Sequence, residues 1–292
     1  MSFNGGAQSK PVTILVPTRR AFEAIELTVE SIMARTWYDN FRIIVCDNSH
    51  GEGLGNRREY LKQLERNGAI KLIENEMETG MWGCTPDGRT STNKYGHGEN
   101  LKILLAACET DYAVLLSSGI EVLKTNWLDV FLDLLKGDKD LGAARFKPAD
   151  NHFDSSWKAP VWWPNLMLLN MKLYRKFGAE DDWNLSRISF DDYEYKQIFN
   201  GKPVPANPDP EGLTVFLDTG YNLWRRLEYE NPEGYKMINI DATPSALKAL
   251  NWDQMFGFYI GLDRNSHRPE HPFVIEQRAN IKERLRILRC QN

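Results

Sequence analysis

The segment "VTILVPTRRAFEAIELTVESIMARTWYDNFRIIVCDNS" (residues 12–49) indicates the fold class. It opens with "VTILVP" (12–17), a short apolar and β-branched run stopped by proline, which is typical of a buried strand. The segment "AFEAIELTVESIMART" (21–36) has the spacing of an amphipathic helix, and "FRIIVCDNS" (41–49) predicts a second strand that ends in polar residues. A strand, a helix and a strand in this order predict a βαβ unit with parallel strands.

The predicted helix in this stretch shows which of its sides faces the core. Ile25, Val29, Ile32 and Met33 recur on one face, and Leu27 lies at the margin of that face. We therefore expect the first four to pack against the sheet.

The same alternation continues along the chain. Further strands are predicted at 70–75 and 111–118, and helices at 55–68, 99–109 and 126–137. In the less regular second half, the patterns predict a strand leading into a short helix (167–178), helices at 190–201, 216–230 and 274–288, a proline-rich loop (201–212) and a strand (234–241). The fold class is therefore α/β, with a mostly parallel central sheet flanked by helices and an irregular C-terminal part, which excludes a sandwich or a barrel.

Composition narrows the class of protein. The chain has 292 residues, 42% hydrophobic and 26% charged, with a formal net charge of −4. Such a charge creates no basic field for nucleic acid or anionic lipid, and no apolar run approaches the roughly 18 residues of a membrane span. We expect a flexible N-terminus (1–10) and one domain (11–292). The opening lacks a signal-peptide pattern and the four cysteines are scattered, which favours a cytoplasmic protein with reduced thiols and no zinc site.

Four polar segments follow the predicted strands and should line one crevice, because ligands of such sheets bind beyond the carboxyl ends of the strands. They are "PTRR" (17–20), "DNSHGEG" (47–53), "ENEMETG" (74–80) and "SSGIE" (117–121). Neither a GxGxxG nor a GxxxxGK[ST] motif is present, so the dinucleotide and P-loop fingerprints are absent.

A long Gly-rich segment (76–100) leads into this crevice and carries Arg89, Lys94 and His97. Cationic side chains can neutralise a diphosphate without a metal ion. The segment is therefore a candidate diphosphate-binding loop, and its alternative is a surface loop with ordinary charges.

The order of these pieces resembles the family-2 glycosyltransferases of the GT-A (Rossmann-like) fold. The likeness runs from about Val12 to about Asp241 and rests on the opening stretch, "RIIVCDNSHGEG", "GHGENLKILLAACETDYAVLL" and "FLDTGYNLWRRLEYENPEGYKMINID". It implies a nucleotide-binding half at about 11–125 and an acceptor-binding half at about 126–292. It also implies an inverting enzyme of glycan or polysaccharide synthesis that moves a sugar from a nucleotide-sugar donor to a glycan or another hydroxyl acceptor.

Residue roles follow from the resemblance. Thr18 and Asp47 would hold the nucleotide base, and Asn100 would lie near the nucleotide crevice together with Ser117 and Ser118. The carboxylate of Asp47 suits binding of the base because the imide N–H of a nucleobase is a hydrogen-bond donor. Asp218 would be the general base, since a sugar hydroxyl is a poor nucleophile until its proton is removed.

The chain departs from the family at its acidic pair, the DxD motif. Aligned on the apolar run "YAVLL", Ser117 and Gly119 stand where the two acids would be. Hydroxyls are weak ligands of Mg²⁺ or Mn²⁺, which leaves Glu121 as a weak metal ligand. No cofactor is certain, Mn²⁺ or Mg²⁺ stays open, and we expect weak or no metal dependence.

Alternatives stay open at this point. A catalytically silent GT-A module that binds a nucleotide sugar or a glycan is the main one, and a nucleotidyltransferase on a similar sheet is another. Asp47 and Asp218 have structural alternatives as strand-end and helix-start carboxylates. Other candidates are Asp191 or Asp192 as the base, His267 and His271 as metal ligands, and Trp162 or Trp163 stacking on a sugar.

Overall fold

A computed structural model describes residues 10–18, 22–48, 55–75, 97–148, 166–178, 186–189, 214–217, 221–242, 255–259 and 271–291. Its strands are β1 (Val12–Thr18), β2 (Phe41–Asp47), β3 (Lys71–Glu74), β4 (Tyr112–Leu116), β5 (Ile120–Val122), β6 (Asp140–Pro148), β7 (Leu166–Asn170), β8 (Ser186–Ser189), β9 (Thr214–Leu217), β10 (Lys236–Ala242) and β11 (Phe256–Phe258). Its helices are α1 (Phe22–Arg35), α2 (Gly55–Arg66), α3 (His97–Ala106), α4 (Trp127–Leu132), α5 (Met171–Phe177), α6 (Tyr221–Tyr229) and α7 (Pro272–Gln291).

The central sheet confirms the predicted fold class. Its described strands number seven, in the order β10-β6-β7-β4-β1-β2-β3. Strands β2 and β4 pair with β1 in parallel and β3 pairs with β2 in parallel, whereas β7 runs antiparallel to both β4 and β6. Helices pack on both faces, and the four strands predicted in the first half of the chain all lie in this sheet. The division into two functional halves at about residue 125 stays a prediction.

Alternation along β1 divides the core between the two faces of the sheet. Ile14 and Val16 pack on one face with apolar residues of α1, α2 and α4, whereas Leu15 packs on the other face with residues of α3 and α5. All three side chains are fully buried. A strand that is buried on both faces has a continuous run of apolar residues, which is why the strand could be predicted from "VTILVP".

Helix α1 is buried on more than one side. Ile25, Val29 and Ile32 contact the sheet core as predicted, but Leu27 is also fully buried, in a cluster with Val274, Ile281 and Leu285 of α7. Met33 was expected to face the core and is instead 38% exposed. The helix lies between the sheet and α7, so a single apolar stripe does not describe it.

Two other expectations were wrong about local structure. The predicted helix at 216–230 begins only at Tyr221, because Phe216 pairs with Arg187 in the β8–β9 ribbon. Helix α4 ends at Leu132, before the predicted 137, and the Asp140 carboxylate accepts hydrogen bonds from the next backbone N–H groups, at residues 136 and 137.

Strand β6 carried no signal that we recognised. It begins "DLGAA", and a Cβ at Gly142 would collide with the carbonyl oxygen of Leu168 on β7. Close approach of the two strands therefore requires glycine there, where an apolar side chain would have marked a strand.

Among the helices described, none has both the length and the apolar character that crossing a membrane requires.

Candidate functional site

Polar residues collect where the parallel strands end. Thr18, the last residue of β1, lies opposite Asp47, the last residue of β2, which in turn lies opposite Glu74 on β3. The ladder continues one residue further, since Asn48 N–H donates to the Thr18 carbonyl and Asn75 N–H donates to the Asp47 carbonyl, both at 3.0 Å. This edge is where ligands of open α/β sheets bind.

Asp47 is a fully buried acid at this edge. Its side chain is 0% exposed, and the Arg58 Nε atom on α2 lies 3.6 Å from Asp47 Oδ2. Arg58 Nη1 also lies 3.7 Å from Glu74 Oε2, and Lys62 Nζ lies 2.9 Å from the other oxygen of Glu74. Two cations of α2 therefore face two carboxylates at the ends of β2 and β3, which compensates charge that burial would otherwise make costly.

Thr18 offers a buried hydroxyl at the same place. The residue is 2% exposed, and its Oγ1 atom has no hydrogen-bond partner among the residues that the structure describes. The buried Oδ1 atom of Asn48 also has no hydrogen-bond partner among those residues. Buried polar atoms are normally paired, so such atoms at a strand edge are suited to a polar ligand.

The side chain of Asn100 is held by the residue that follows β3. Its Oδ1 accepts a hydrogen bond from Asn75 Nδ2 at 3.0 Å, and the Cys46 thiol lies 3.7 Å from the same oxygen. Burial, with the charge of Asp47 as a second cause, raises the pKa of Cys46 to about 12. This thiol is therefore neutral at physiological pH and is not a nucleophile.

The turn after β4 brings Ser117 and Ser118 to this edge. Ser117 is 7% exposed, and Ser118 N–H donates to the Pro17 carbonyl on β1 at 3.4 Å. Gly119 has φ of 90°, in the left-handed region that favours glycine, and its N–H donates to Thr28 Oγ1 at 3.0 Å. The turn is thus held against both β1 and α1.

Glu121, the predicted weak metal ligand, has a different partner. It is 0% exposed, and its two oxygens accept hydrogen bonds from Arg284 Nε at 2.9 Å and Arg284 Nη2 at 2.8 Å. A bidentate ion pair accounts for the burial of this carboxylate.

The described residues do not fit a divalent cation at this turn. Serine hydroxyls are weak ligands, Gly119 has no side chain, and Glu121 is held by arginine. Across the described ranges, no group of three or more His, Cys, Asp or Glu side chains is arranged to hold a metal ion.

Several predicted site residues lie outside the described ranges, so their roles stay predictions. They are Arg89, Lys94 and Asp218, together with the alternatives Asp191, Asp192, His267, Trp162 and Trp163. Residue His97 begins α3, but its side chain is also outside the description. His271 is described and caps α7: its carbonyl accepts from Val274 N–H at 2.8 Å.

Sequence reasoning missed two contributors to this edge, Arg58 and Asn75. Asn75 lies in the segment that was expected to line the crevice, so the sequence predicted its location. The sequence did not predict its hydrogen bond to Asn100. Arg58 is one of two adjacent arginines in "GNRREYLKQLERNG", and nothing in the helical pattern singles it out.

Comparison with known proteins gives weak matches. No protein-family model matches the chain. Glucosamine-6-phosphate deaminase of Streptococcus pyogenes serotype M49 is 26% identical over 107 residues, which are 37% of this chain and 44% of that protein. The uncharacterized protein y4gI of Sinorhizobium fredii is 43% identical over 54 residues, 18% of this chain and 6% of that protein. The chain therefore spans less than half the length of these curated relatives.

Among solved structures, glycosyltransferases align at low scores. The mannosyltransferase PcManGT of Pyrobaculum calidifontis, in complex with GDP-Man and Mn²⁺, has a TM-score of 0.44 and 16% identity over 58% of this chain and 47% of that one. Glucosyl-3-phosphoglycerate synthase of Mycobacterium tuberculosis has a TM-score of 0.45 and 12% identity over 84% of this chain and 77% of that one. Scores of this size assign neither an activity nor a substrate, so a function for this chain has to rest on its own residues.

Proposed function

We propose that this protein is a glycosyltransferase that binds a nucleotide-sugar donor at the carboxyl edge of its sheet and transfers the sugar, with inversion, to a hydroxyl acceptor. The observation that carries the proposal is the buried polar edge of β1 and β2, where the Asp47 carboxylate and the Thr18 hydroxyl lie side by side in register. An apolar core has no need of an acid there, whereas a nucleobase offers an N–H donor that a fixed carboxylate accepts.

The chemistry proposed for this edge is a single displacement. Asp218 takes the proton of the acceptor hydroxyl while its oxygen attacks the anomeric carbon. The bond from that carbon to the diphosphate oxygen breaks, and the nucleoside diphosphate leaves with the bonding electrons. Arg89, Lys94 and protonated His97 offset the charge that develops on the leaving group, so the reaction has weak or no metal dependence.

Calorimetric titration with UDP and GDP, with and without EDTA, tests the donor site. Asp47→Ala should weaken nucleotide binding by roughly 1.5–3 kcal/mol, a factor of about 10 to 150 in Kd, the scale of a hydrogen bond to a charged group. Asp133→Ala is the control, since this exposed aspartate follows α4. Unchanged affinity in a folded Asp47 variant would remove this residue from the site.

The general base is tested by turnover. Asp218→Asn keeps the shape of the side chain and removes its basicity, so transfer should fall by a factor of about 100 or more while donor binding is retained. Wild-type turnover in this variant would transfer the role to Asp191 or Asp192.

Two results would replace the proposal. If the protein binds a nucleotide sugar but neither transfers the sugar nor hydrolyses the donor, the result would favour a silent module that binds a nucleotide sugar. Because part of the chain matches a glucosamine-6-phosphate deaminase, glucosamine 6-phosphate belongs in the same titrations. Binding of this probe in the absence of any nucleotide binding would refute the glycosyltransferase assignment.

A further inference from the structure

Two hydroxyl groups of α1 accept hydrogen bonds from the backbone of the turn before β5 and of β5 itself. Thr28 Oγ1 accepts from the Gly119 N–H, and Ser31 Oγ accepts from the Val122 N–H, both at 3.0 Å. Both hydroxyls are fully buried. Backbone donors of the turn and of β5 are thus paired with side chains of a helix, which fixes the distance between the turn and α1.

Strand β11 holds the same segment from another side. It pairs antiparallel with β5, with Gly257 opposite Glu121. Beyond the paired residues, Tyr259 N–H donates to the Gly119 carbonyl at 2.7 Å and Leu123 N–H donates to the Met255 carbonyl at 2.8 Å. The backbone from Gly119 to Leu123 therefore has little freedom to move independently of α1 and β11.

Arg284 of α7 supplies a side-chain clamp on this segment. Its guanidinium binds both oxygens of the fully buried Glu121, and the Tyr259 hydroxyl lies 3.4 Å from one of them. Hydrogen bonding to Glu121 raises the pKa of Arg284, and burial, with the charge of Glu121 as a second cause, raises the pKa of Tyr259. Both groups therefore keep their donor protons at physiological pH.

This contact differs from the other arginine contacts of α7. Arg289 reaches Glu26 and Glu30 on α1, but its side chain is 52% exposed. Arg278 Nε lies 3.6 Å from Glu23 on α1, which is not a bidentate contact, and Arg286 pairs with Glu283 on α7 itself. The Arg284 side chain is 30% exposed, but Glu121 is 0% exposed, and a contact with a fully buried carboxylate is screened less than a contact between two exposed groups. In the described part of the chain, Glu121 is the one partner of an α7 arginine that lies in a strand.

We propose that Arg284 is a positioning residue for the crevice: by clamping Glu121, it sets where Ser117 and Ser118 lie, so that affinity for a nucleoside diphosphate depends on a side chain of the C-terminal helix. The reason is distance along the chain. Gly119 is separated from Glu121 by one residue, and Gly119 carries the left-handed conformation that turns the chain at the strand edge. Loss of the clamp leaves a buried carboxylate without its cation, and β5 must shift to reach water. This inference rests on the proposed donor site.

The test compares Arg284→Met with Arg286→Met, a matched arginine of the same helix. Hydrogen exchange is measured at the amides of 117–122, and calorimetry measures the affinity for UDP and GDP against uridine and guanosine. For Arg284→Met we expect faster exchange confined to this segment and diphosphate binding weakened by about 2- to 30-fold, the usual range for coupling through a packed network. Nucleoside affinity should stay within about twofold, since the base site is on β1 and β2. Arg286→Met should match wild type in every measurement.

Arg284→Lys provides a second variant if the methionine variant does not fold. It retains the charge and loses the planar bidentate contact, so its effect should lie between wild type and Arg284→Met. Wild-type exchange and wild-type diphosphate affinity in the folded Arg284 variants would overturn the inference, as would an equal loss of nucleoside affinity, which indicates a general loss of structure. If wild-type protein binds no nucleotide, the proposed function fails, and the exchange data still decide the clamp: acceleration confined to 117–122 supports it, and none overturns it.

Discussion

The ion pair between Arg58 and Asp47 allows a quantitative prediction about the candidate site. Arg58→Met removes the cation that lies 3.6 Å from a carboxylate with 0% exposure. Lys62→Met is the matched control on the same helix, since Lys62 Nζ lies closer to its partner, 2.9 Å from Glu74, but this pair is 46% and 27% exposed.

Distance and burial predict opposite rankings for these two variants. Breaking a fully buried pair costs about 3–5 kcal/mol, and breaking an exposed one costs about 0.2–1 kcal/mol. The Arg58 side chain is 26% exposed and its contact is too long for a hydrogen bond, so we place Arg58→Met between these limits, at about 1–3 kcal/mol. Lys62→Met should cost about 1 kcal/mol or less despite its shorter distance.

Urea unfolding at neutral pH, followed by circular dichroism, measures both variants. The midpoint should fall clearly for Arg58→Met, with an unchanged slope, and only slightly for Lys62→Met. Equal midpoints, or a larger loss for Lys62→Met, would refute the argument that burial of Asp47 sets the strength of the contact. Added nucleotide should raise the midpoint of wild type if the edge is a donor site.

Three further predictions concern other contacts. Thr28→Val removes the hydroxyl that accepts from Gly119 N–H at 3.0 Å and should lower the unfolding free energy by about 1 kcal/mol; an unchanged urea midpoint would mean that the Ala24 carbonyl, 3.4 Å from the same nitrogen, satisfies it alone. Gly119→Ala, at φ of 90°, should cost about 1–2 kcal/mol in thermal unfolding, and a neutral result would place this turn in another conformation. Hydrogen bonds, first from Lys176, lower the pKa of Glu233 from its usual 4.5 to about 2, so its stabilising contribution is present above pH 4.5 and is lost as pH falls toward 2. Glu233→Gln should flatten the dependence of stability on pH in that window, and an unchanged slope would contradict the pairing.

Much of the strand-end edge could be predicted from local sequence. Thr18 and Asp47 follow apolar runs that are buried on both faces of the sheet, and the end of each run marks the residue that reaches the edge. The position of Ser117 followed in the same way from β4. Their roles in binding stay predictions until a ligand is tested.

The partners of these residues could not be predicted locally. Asn75 meets Asn100 across 25 residues, and Arg284 meets Glu121 across 163 residues. A helical pattern does not distinguish an arginine that pairs on its own helix from one that reaches a buried carboxylate, so the prediction of Glu121 as a metal ligand had no competing partner to weigh.

Local sequence was enough to predict the class of fold and the edge of the sheet at which a site would form, because both depend on runs of apolar residues and on the polar residues that end them. Which charged side chains meet depends on how the helices pack. The tertiary structure placed α7 against α1, buried Leu27 where the pattern put a margin, and brought Arg284 to Glu121. An ion pair depends on separation in space and on exclusion of water, and neither quantity is encoded in the neighbours of a residue along the chain.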